Sequence, residues 1–308
     1  MASYLVTGSA GFIGSAVARR LIASGNEVIT IDNLSTGYKE IIPKGVTFIQ
    51  GNCQDVGVIE RLNISRLEAI VHIAGQSSGE ISFDDPVYDL QTNAQSTLLL
   101  LKLAQKIGCK KFVYASSMSV YGEQSDRPTA EDAITLPKSF YAVGKIASEN
   151  YLRIFSQFGI TTTSLRLFNV YGPGQNMENL RQGMVSIFLA QAINRKHIHV
   201  KGSKYRYRDL VYIEDAAEAF ICSLDRKDNA YNVFNVATGI KTTVEKLISE
   251  ICQHLPFKVT VGYSGSTPGD QFGIYGDFRK ITRVLGWNPK YSLDAGLRAM
   301  VEWALQNK

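Results

Sequence analysis

Three glycines, Gly8, Gly11 and Gly14, sit between a short apolar strand and a helical pattern, and they constrain this chain more than any other feature. Tyr4, Leu5 and Val6 run directly into the turn. Behind it Val17, Leu21 and Ile22 recur as apolar positions, with Arg19 and Arg20 polar. Glycines so spaced allow a tight turn, close backbone approach to a pyrophosphate, and close packing of helix on strand. The helix start adds unpaired N–H groups and a positive dipole end. A bare triplet also occurs in turn-rich loops. Here the next strand, Glu27 to Ile31, ends in Asp32. That is about the 20-residue distance at which a carboxylate grips the ribose hydroxyls of a dinucleotide. Asp32 would repel a 2′-phosphate and no arginine follows it directly, so NAD is expected rather than NADP.

The rest of the chain alternates strands and helices. Val46 to Ile49 reads as a third strand, and Ala69 to Ala74 as a nearly all-apolar strand of the kind buried on both faces. His72 lies inside it and is expected to be a satisfied core histidine. Gly75, Gln76, Ser77 and Ser78 open a loop at that strand's carboxyl end, where open α/β sheets bind ligands. A long helix is expected from Tyr88 to Ile107; its leucine density exceeds the needs of one core face, which points to a partner subunit. Lys111 to Ala115 is a further strand. A doubly wound parallel sheet, α/β in class, fits this alternation.

At 308 residues the chain has ample size for a core. Its net charge of +5 is scattered rather than striped, which suits a small anionic ligand better than nucleic acid. The four cysteines are far apart in sequence and form no metal or redox pair, so reduced thiols and no metal are expected. The first residues already form a strand and the apolar runs are too short to span a bilayer, so a cytoplasmic protein without membrane contact is expected.

Chemistry enters after the Lys111 strand. Ser116, Ser117 and Ser119 place hydroxyls at its carboxyl end, and Tyr141 and Lys145 are spaced to share one helix face. A nearby ammonium, with a nicotinamide charge as well, would lower the tyrosine pKa and make it a base near neutral pH. Ser117 would share a hydrogen bond with the reacting oxygen. This spacing is also common on solvated helix faces; it gains meaning from the dinucleotide fold before it.

These residues, taken together, resemble an extended short-chain dehydrogenase/reductase of the nucleotide-sugar epimerase and dehydratase branch. The resemblance spans essentially the whole chain. It rests on the glycine turn, Asp32-Asn-Leu-Ser-Thr-Gly37, Ser116-Ser117 with Val120-Tyr121-Gly122, Tyr141 and Lys145. It continues through Leu165-Arg-Leu-Phe-Asn169-Val-Tyr-Gly-Pro173, Arg208-Asp209, Pro268-Gly-Asp270 and Leu285-Gly-Trp287. The Asp-Asn-Leu-Ser-x-Gly stretch is most similar to the 4-epimerases of UDP-galactose and of UDP-N-acetylhexosamines. The resemblance implies catalytic roles for Ser117, Tyr141 and Lys145, with NAD as cofactor. Cofactor contacts would fall on Gly8, Gly11, Phe12, Ile13, Gly14, Asp32, Asn33, Ser35, Thr36, Gly37, Asn52 and Cys53. Further along they would fall on Ile73, Ala74, Gly75, Gln76, Asn93, Tyr141, Lys145 and Phe168. Substrate contacts would fall on Ser117, Asn169, Arg208 and Ile274; Ile274 would stand at the sugar's C2 and leave room there, or be a core residue, with Tyr275 filling that space after a one-residue shift as a further alternative. It further implies a Rossmann domain over residues 1–171, to which 207–236 return, and a smaller substrate lobe over 172–206 and 237–308. A homodimer built on the Tyr88–Ile107 and Tyr141 helices is implied as well.

Departures from the pattern are also visible. Dehydratases carry an Asp-Glu pair where this chain has Met118 and Ser119, neither of which can move the extra protons, so dehydration is disfavoured. Ser266-Thr267 precede Pro268 where 4-epimerases usually have a diphosphate arginine. Lys201, Arg206 or Arg181 could replace that charge, or each could be a solvated surface residue. Met184 falls where a substrate-binding asparagine is often found. Asn52 stands where an aspartate often contacts adenine, and its carbonyl oxygen could accept that bond. A nucleotide-sugar 4-epimerase is the leading expectation. A 4-keto reductase or dehydrogenase on the same triad, and a non-catalytic NAD-binding protein, stay open.

Overall fold

Seven parallel strands form the central sheet. The computed structural model describes residues 1–265 and 271–307; Ser266, Thr267, Pro268, Gly269, Asp270 and Lys308 lie outside the described residues. β1 (Ser3–Thr7) pairs with β2 (Glu27–Asp32) on one side and β4 (Ala69–His72) on the other. β3 (Val46–Gln50) closes the β2 edge. Beyond β4 come β5 (Lys111–Ser117), β6 (Thr161–Leu167) and the strand Tyr231–Val236. Strand order reverses between β1 and β4, so their carboxyl ends open the crevice where doubly wound sheets hold ligands.

Successive residues of these strands feed opposite faces, and two cores result. Val6, Val71 and Val113 pack with Val17 and Leu21 of α1 (Phe12–Ala23). Leu5, Ile70 and Phe112 pack with Leu100 and Leu101 on the other side. β6 is buried throughout although it begins with three threonines. Their hydroxyls are satisfied inside: Thr162 Oγ1 donates to the Leu152 carbonyl at 3.0 Å, and Thr163 Oγ1 accepts from Arg226 at 2.7 Å.

His72 is buried in β4, and its partners fix its tautomer. Thr7 Oγ1 accepts from the Ile73 and Ala74 N–H groups, each at 3.0 Å, so its own proton goes to His72 Nδ1 at 2.8 Å. His72 Nε2–H then donates to Ser96 at 3.1 Å. Burial pushes the imidazole down to about 3, so it stays neutral. This chain of bonds ties the loop after β4 to β1 at the crevice.

The helix expected from Tyr88 to Ile107 is three pieces. α3 (Pro86–Leu90) is capped by Asp85, whose side chain accepts from the Tyr88 N–H at 2.9 Å. A π-turn follows over Gln91–Gln95, and α4 (Ser96–Lys106) completes the run. Such turns widen the backbone locally and recur at functional sites. The helix of Tyr141 and Lys145, Phe140–Phe155, packs against α3 and α4 and starts on Ser139, whose hydroxyl accepts from the Ala142 N–H.

After β6 the chain builds smaller pairings. Asn169–Tyr171 runs parallel to Leu210–Tyr212, and His197–Lys201 runs parallel to Thr260–Ser264. Among the described residues no helix is long and apolar enough to cross a membrane.

Candidate active site

A cavity of about 360 Å³ opens over the glycine turn. Gly8 has a φ of +81° and a Cβ there would lie 2.9 Å from the Ala74 nitrogen; one on Gly14 would lie 2.1 Å from the Gly8 carbonyl oxygen. Glycine is therefore required at both positions. α1 begins at Gly11 with no side-chain cap and no acidic residue in its first turn, leaving its N–H groups for a pyrophosphate. Asp32 ends β2 with its carboxylate fixed: Oδ2 accepts from the Ala10 N–H at 2.9 Å and Oδ1 from the Leu34 N–H at 2.8 Å. No lysine or arginine lines this cavity among the described residues, which suits an unphosphorylated ribose beside Asp32. Phe12, Ile13, Asn33, Ser35, Thr36, Gly37, Cys53, Ile73, Ala74, Gly75 and Gln76 line it too.

Of the remaining expected cofactor contacts, Tyr141, Lys145 and Phe168 line a second, adjoining cavity, and Asn52 and Asn93 line neither. The Asn52 Oδ1, expected to accept from adenine, already accepts from Asn33 at 2.8 Å. Asn93 stands behind the loop: its Nδ2 donates to the Gln76 carbonyl at 3.0 Å, and a Cβ on Gly75 would meet its Oδ1 at 2.6 Å. Asn93 thus supports the wall rather than forming it.

A second cavity, about 460 Å³, shares Phe12, Ile13, Ile73, Ser77, Gln175 and Gln182 with the first. Ser117, Tyr141 and Lys145 line it together, with Phe168, Asn169 and Arg208. β5 delivers Ser117 at its carboxyl end, and the i,i+4 spacing brings Tyr141 and Lys145 to the same wall. The Lys145 ammonium donates to the Ala115 carbonyl at 2.9 Å and lies 5.4 Å from the centre of the Tyr141 ring. Ser117 shares a hydrogen bond with the Ser119 hydroxyl.

The electrostatics correct one expectation. Tyr141 is pushed up to about 12, chiefly by burial, with the Ser117 hydrogen bond acting the other way and Asp89 adding to the rise. Lys145 is pushed down to about 8 by the same burial, against the charges of Asp89 and Glu149. Desolvation sets the direction, so the protein's own groups leave the phenol protonated at neutral pH, and the expected lowering falls to the nicotinamide charge.

Ile274 is the other correction. It is buried in the core with Phe168 and Leu210 and does not line the cavity. In this segment Gln271 faces the cavity, Phe272 is exposed, Gly273 lies under the Tyr207 ring and Ile274 turns inward. Arg208 is buried and donates to the carbonyls of Tyr207 at 2.7 Å and Gln271 at 2.8 Å. Arg181, Met184, Lys201 and Arg206 all line the cavity, and Glu80 is the only carboxylate among its described lining residues. The Asn169 Oδ1 is buried in the same wall without a hydrogen-bond partner among the described residues.

Sequence reading did not single out Gln175 and Gln182, which line both cavities. Gln182 bonds to Ser77 across the crevice, and the Gln175 Oε1 is buried without a partner among the described residues. Their signal was weak: two amides in a loop between motifs.

The sheet order, glycine turn and hydroxyl–phenol–ammonium wall together define an extended dinucleotide-dependent short-chain oxidoreductase architecture. Residues 4–237 match the NAD dependent epimerase/dehydratase family, and the chain belongs to it. A UDP-glucose 4-epimerase of Mycolicibacterium smegmatis is 32% identical over 306 residues, covering 97% of each chain. Among solved structures, the UDP-glucose 4-epimerase of Thermotoga maritima with UDP-glucose matches with a TM-score of 0.95, 36% identity and 99% coverage of both chains. The UDP-N-acetylglucosamine 4-epimerase of Methanobrevibacter ruminantium, in complex with UDP-N-acetylmuramic acid, matches with a TM-score of 0.93 and 29% identity, covering 100% of this chain and 99% of that one. NAD is the cofactor of this family, and the open α1 terminus and Asp32 cradle fit it.

Proposed function

We propose that this protein is a nucleotide-sugar 4-epimerase, inverting C4 of a nucleotide-diphosphate hexose through a transient 4-keto sugar. The observation that carries the reading is that Ser117, Tyr141 and Lys145 meet on one wall of a cavity continuous with the dinucleotide cradle. Gly8, Gly11, Gly14 and Asp32 would hold NAD. Bound there, NAD supplies the positive charge and the hydride acceptor that oxidation at C4 requires. Tyr141 takes the proton of the 4-hydroxyl, Ser117 holds the same oxygen, and Lys145 steadies the phenolate. The keto sugar turns about its phosphate linkage and is reduced on its other face, with Tyr141 returning the proton.

Holding the substrate through that turn falls to groups away from the sugar. Lys201, Arg206 and Arg208 line the second cavity and supply positive charge for a diphosphate, while Arg181 there is ion-paired with Asp84 and Glu80. Asn169, with its unpartnered oxygen, suits a polar group of the nucleotide or sugar. The substrate is UDP-glucose or UDP-galactose, or the corresponding UDP-N-acetylhexosamine. The protein works in the cytoplasm as a homodimer. The test is incubation with UDP-, GDP-, dTDP- and CDP-sugars without added reductant, followed by NMR. Inversion at C4 supports the reading; no inversion in that mixture, with product forming only when NAD(P)H is added and consumed in step, refutes it.

A further inference from the structure

Asp89 is a buried carboxylate for which the reaction above has no use, yet it lies directly behind the catalytic helix. Its Oδ2 accepts from Gln76 Nε2 at 2.7 Å and from Asn93 Nδ2 at 3.3 Å. Its Oδ1 has no hydrogen-bond partner among the described residues. A Cβ built on Gly144, between Tyr141 and Lys145 in sequence, would lie 3.5 Å from that oxygen. A buried carboxylate with one oxygen unpaired is costly, and burial raises its pKa; the Gln76 and Asn93 amides and the Lys145 charge act against burial. Such a group needs a compensating role.

Gln76 shows the first part of that role. Its Nε2 also donates to the Ser78 carbonyl at 2.7 Å, and its Oε1 accepts from the Ser78 N–H. Gln76 lines the dinucleotide cavity and Ser78 the second cavity. The side chain of Gln76 thus staples the loop that passes between the two, and Asp89 holds the staple.

We propose that Asp89 is a positioning residue of the C4 reaction: it locks the loop after β4 onto the π-turn and faces its second oxygen and its charge toward the helix of Tyr141 and Lys145. This rests on the proposed role of Tyr141 as the base. Asp89's negative charge disfavours the Tyr141 phenolate and favours the Lys145 ammonium. The other titratable groups around the pair are His72 from β4, Tyr114 from β5 and Glu149 from the catalytic helix itself. His72 is neutral, burial keeps the Tyr114 phenol protonated, and Glu149 is matched by Arg166. Asp89 therefore sets how readily the phenol gives and takes a proton, while its amide bonds set where the loop stands.

Asp89→Asn separates the two roles, since its side-chain oxygen still accepts from Gln76 while the charge is gone. In the NAD-loaded protein, carbon-13 at the tyrosine Cζ positions reports each phenol, and Tyr141→Phe assigns the signal. In Asp89→Asn the Tyr141 signal is expected to titrate about half to one pH unit lower. The acid limb of kcat/KM with UDP-galactose should move the same way, because less proton must be removed to form the base. Asp89→Leu, which also removes the staple, is expected to lose NAD during gel filtration while the wild type and Asp89→Asn retain it. An unshifted Tyr141 signal in Asp89→Asn, or full NAD retention by Asp89→Leu, overturns the proposal. Normal turnover by Tyr141→Phe would instead sink the role of Tyr141 as base, whatever Asp89 does.

Discussion

Glu149 and Arg166 form a two-pronged ion pair inside the protein, with Nη2 to Oε2 at 2.7 Å and Nε to Oε1 at 2.9 Å. Glu149 lies two turns beyond Tyr141 on the same helix, and Arg166 sits on β6 beside the strand that ends in Ser117. Ser116 Oγ also donates to Glu149, at 2.5 Å, so one carboxylate joins helix, β5 and β6. The pair fixes the distance between the phenol and the serine.

Breaking such a pair from one side leaves a buried charge without its partner, at a cost of about 3–5 kcal/mol. Glu149→Gln is expected to lower the melting temperature and to reduce turnover, because Arg166 keeps its charge in an apolar setting. Glu149→Leu with Arg166→Met should recover most of the stability. A melting curve for Glu149→Gln that overlays the wild type would show that the pair does not hold the helix.

Lys145 gives a pH prediction. Its folded-state pKa, about 8, lies below the ordinary 10.5, so the buried ammonium destabilises the native state. The unfolded chain binds the extra proton between those values, so the cost is full below pH 8 and fades as pH rises toward 10.5. Lys145→Met is therefore expected to be more stable than the wild type at pH 7, by no more than about 3 kcal/mol. The advantage shrinks from pH 8 upward, and turnover is lost. Denaturant midpoints measured at pH 7 and pH 10 decide it; a constant difference between the two proteins would refute the argument.

The glycine turn, Asp32 and the strand ends were legible because they follow from local chemistry. A tight turn needs glycine, and a ribose needs an acid at the next strand's end. The Asp89–Gln76 bond joins a short helix to a loop 13 residues earlier, and no local pattern announces it. The π-turn at Gln91–Gln95 is likewise invisible to a 3.6-residue period. Asn52 was placed by resemblance to the family, but Asn33 competes for its oxygen. Tyr141 was expected to have a lowered pKa from a nearby ammonium together with a nicotinamide charge; the degree of burial, which sets the direction for the protein's own groups, is a property of the packed structure.

Val87 and Leu90 on α3, and Phe140 and Val143 on the catalytic helix, are large apolar side chains left exposed. Leu100 and Leu101, by contrast, are spent on the sheet. A patch of this kind on two adjacent helices suits an isologous partner, the commonest arrangement. Light scattering at micromolar protein should give twice the chain mass, and Leu90→Glu with Val143→Glu should give the monomer. A monomeric wild type would end the homodimer reading.

Sugar size cannot be set by Ile274 if that side chain packs in the core. Replacing it by tyrosine forces a larger, polar side chain into the packed core, with an overpacking cost of about 1–3 kcal/mol. The loss should therefore be global. Ile274→Tyr is expected to lower the melting temperature and to depress turnover of UDP-galactose and UDP-N-acetylgalactosamine by the same factor. Gln271, Met184 and Gln191, which do line the second cavity, are the better positions for controlling what the C2 substituent meets. Met184→Trp should shrink the room available in that cavity. Parallel kcat/KM measurements on the two sugars separate the cases. A selective loss of the N-acetyl substrate in Ile274→Tyr, with unchanged stability, would put Ile274 back in the sugar pocket.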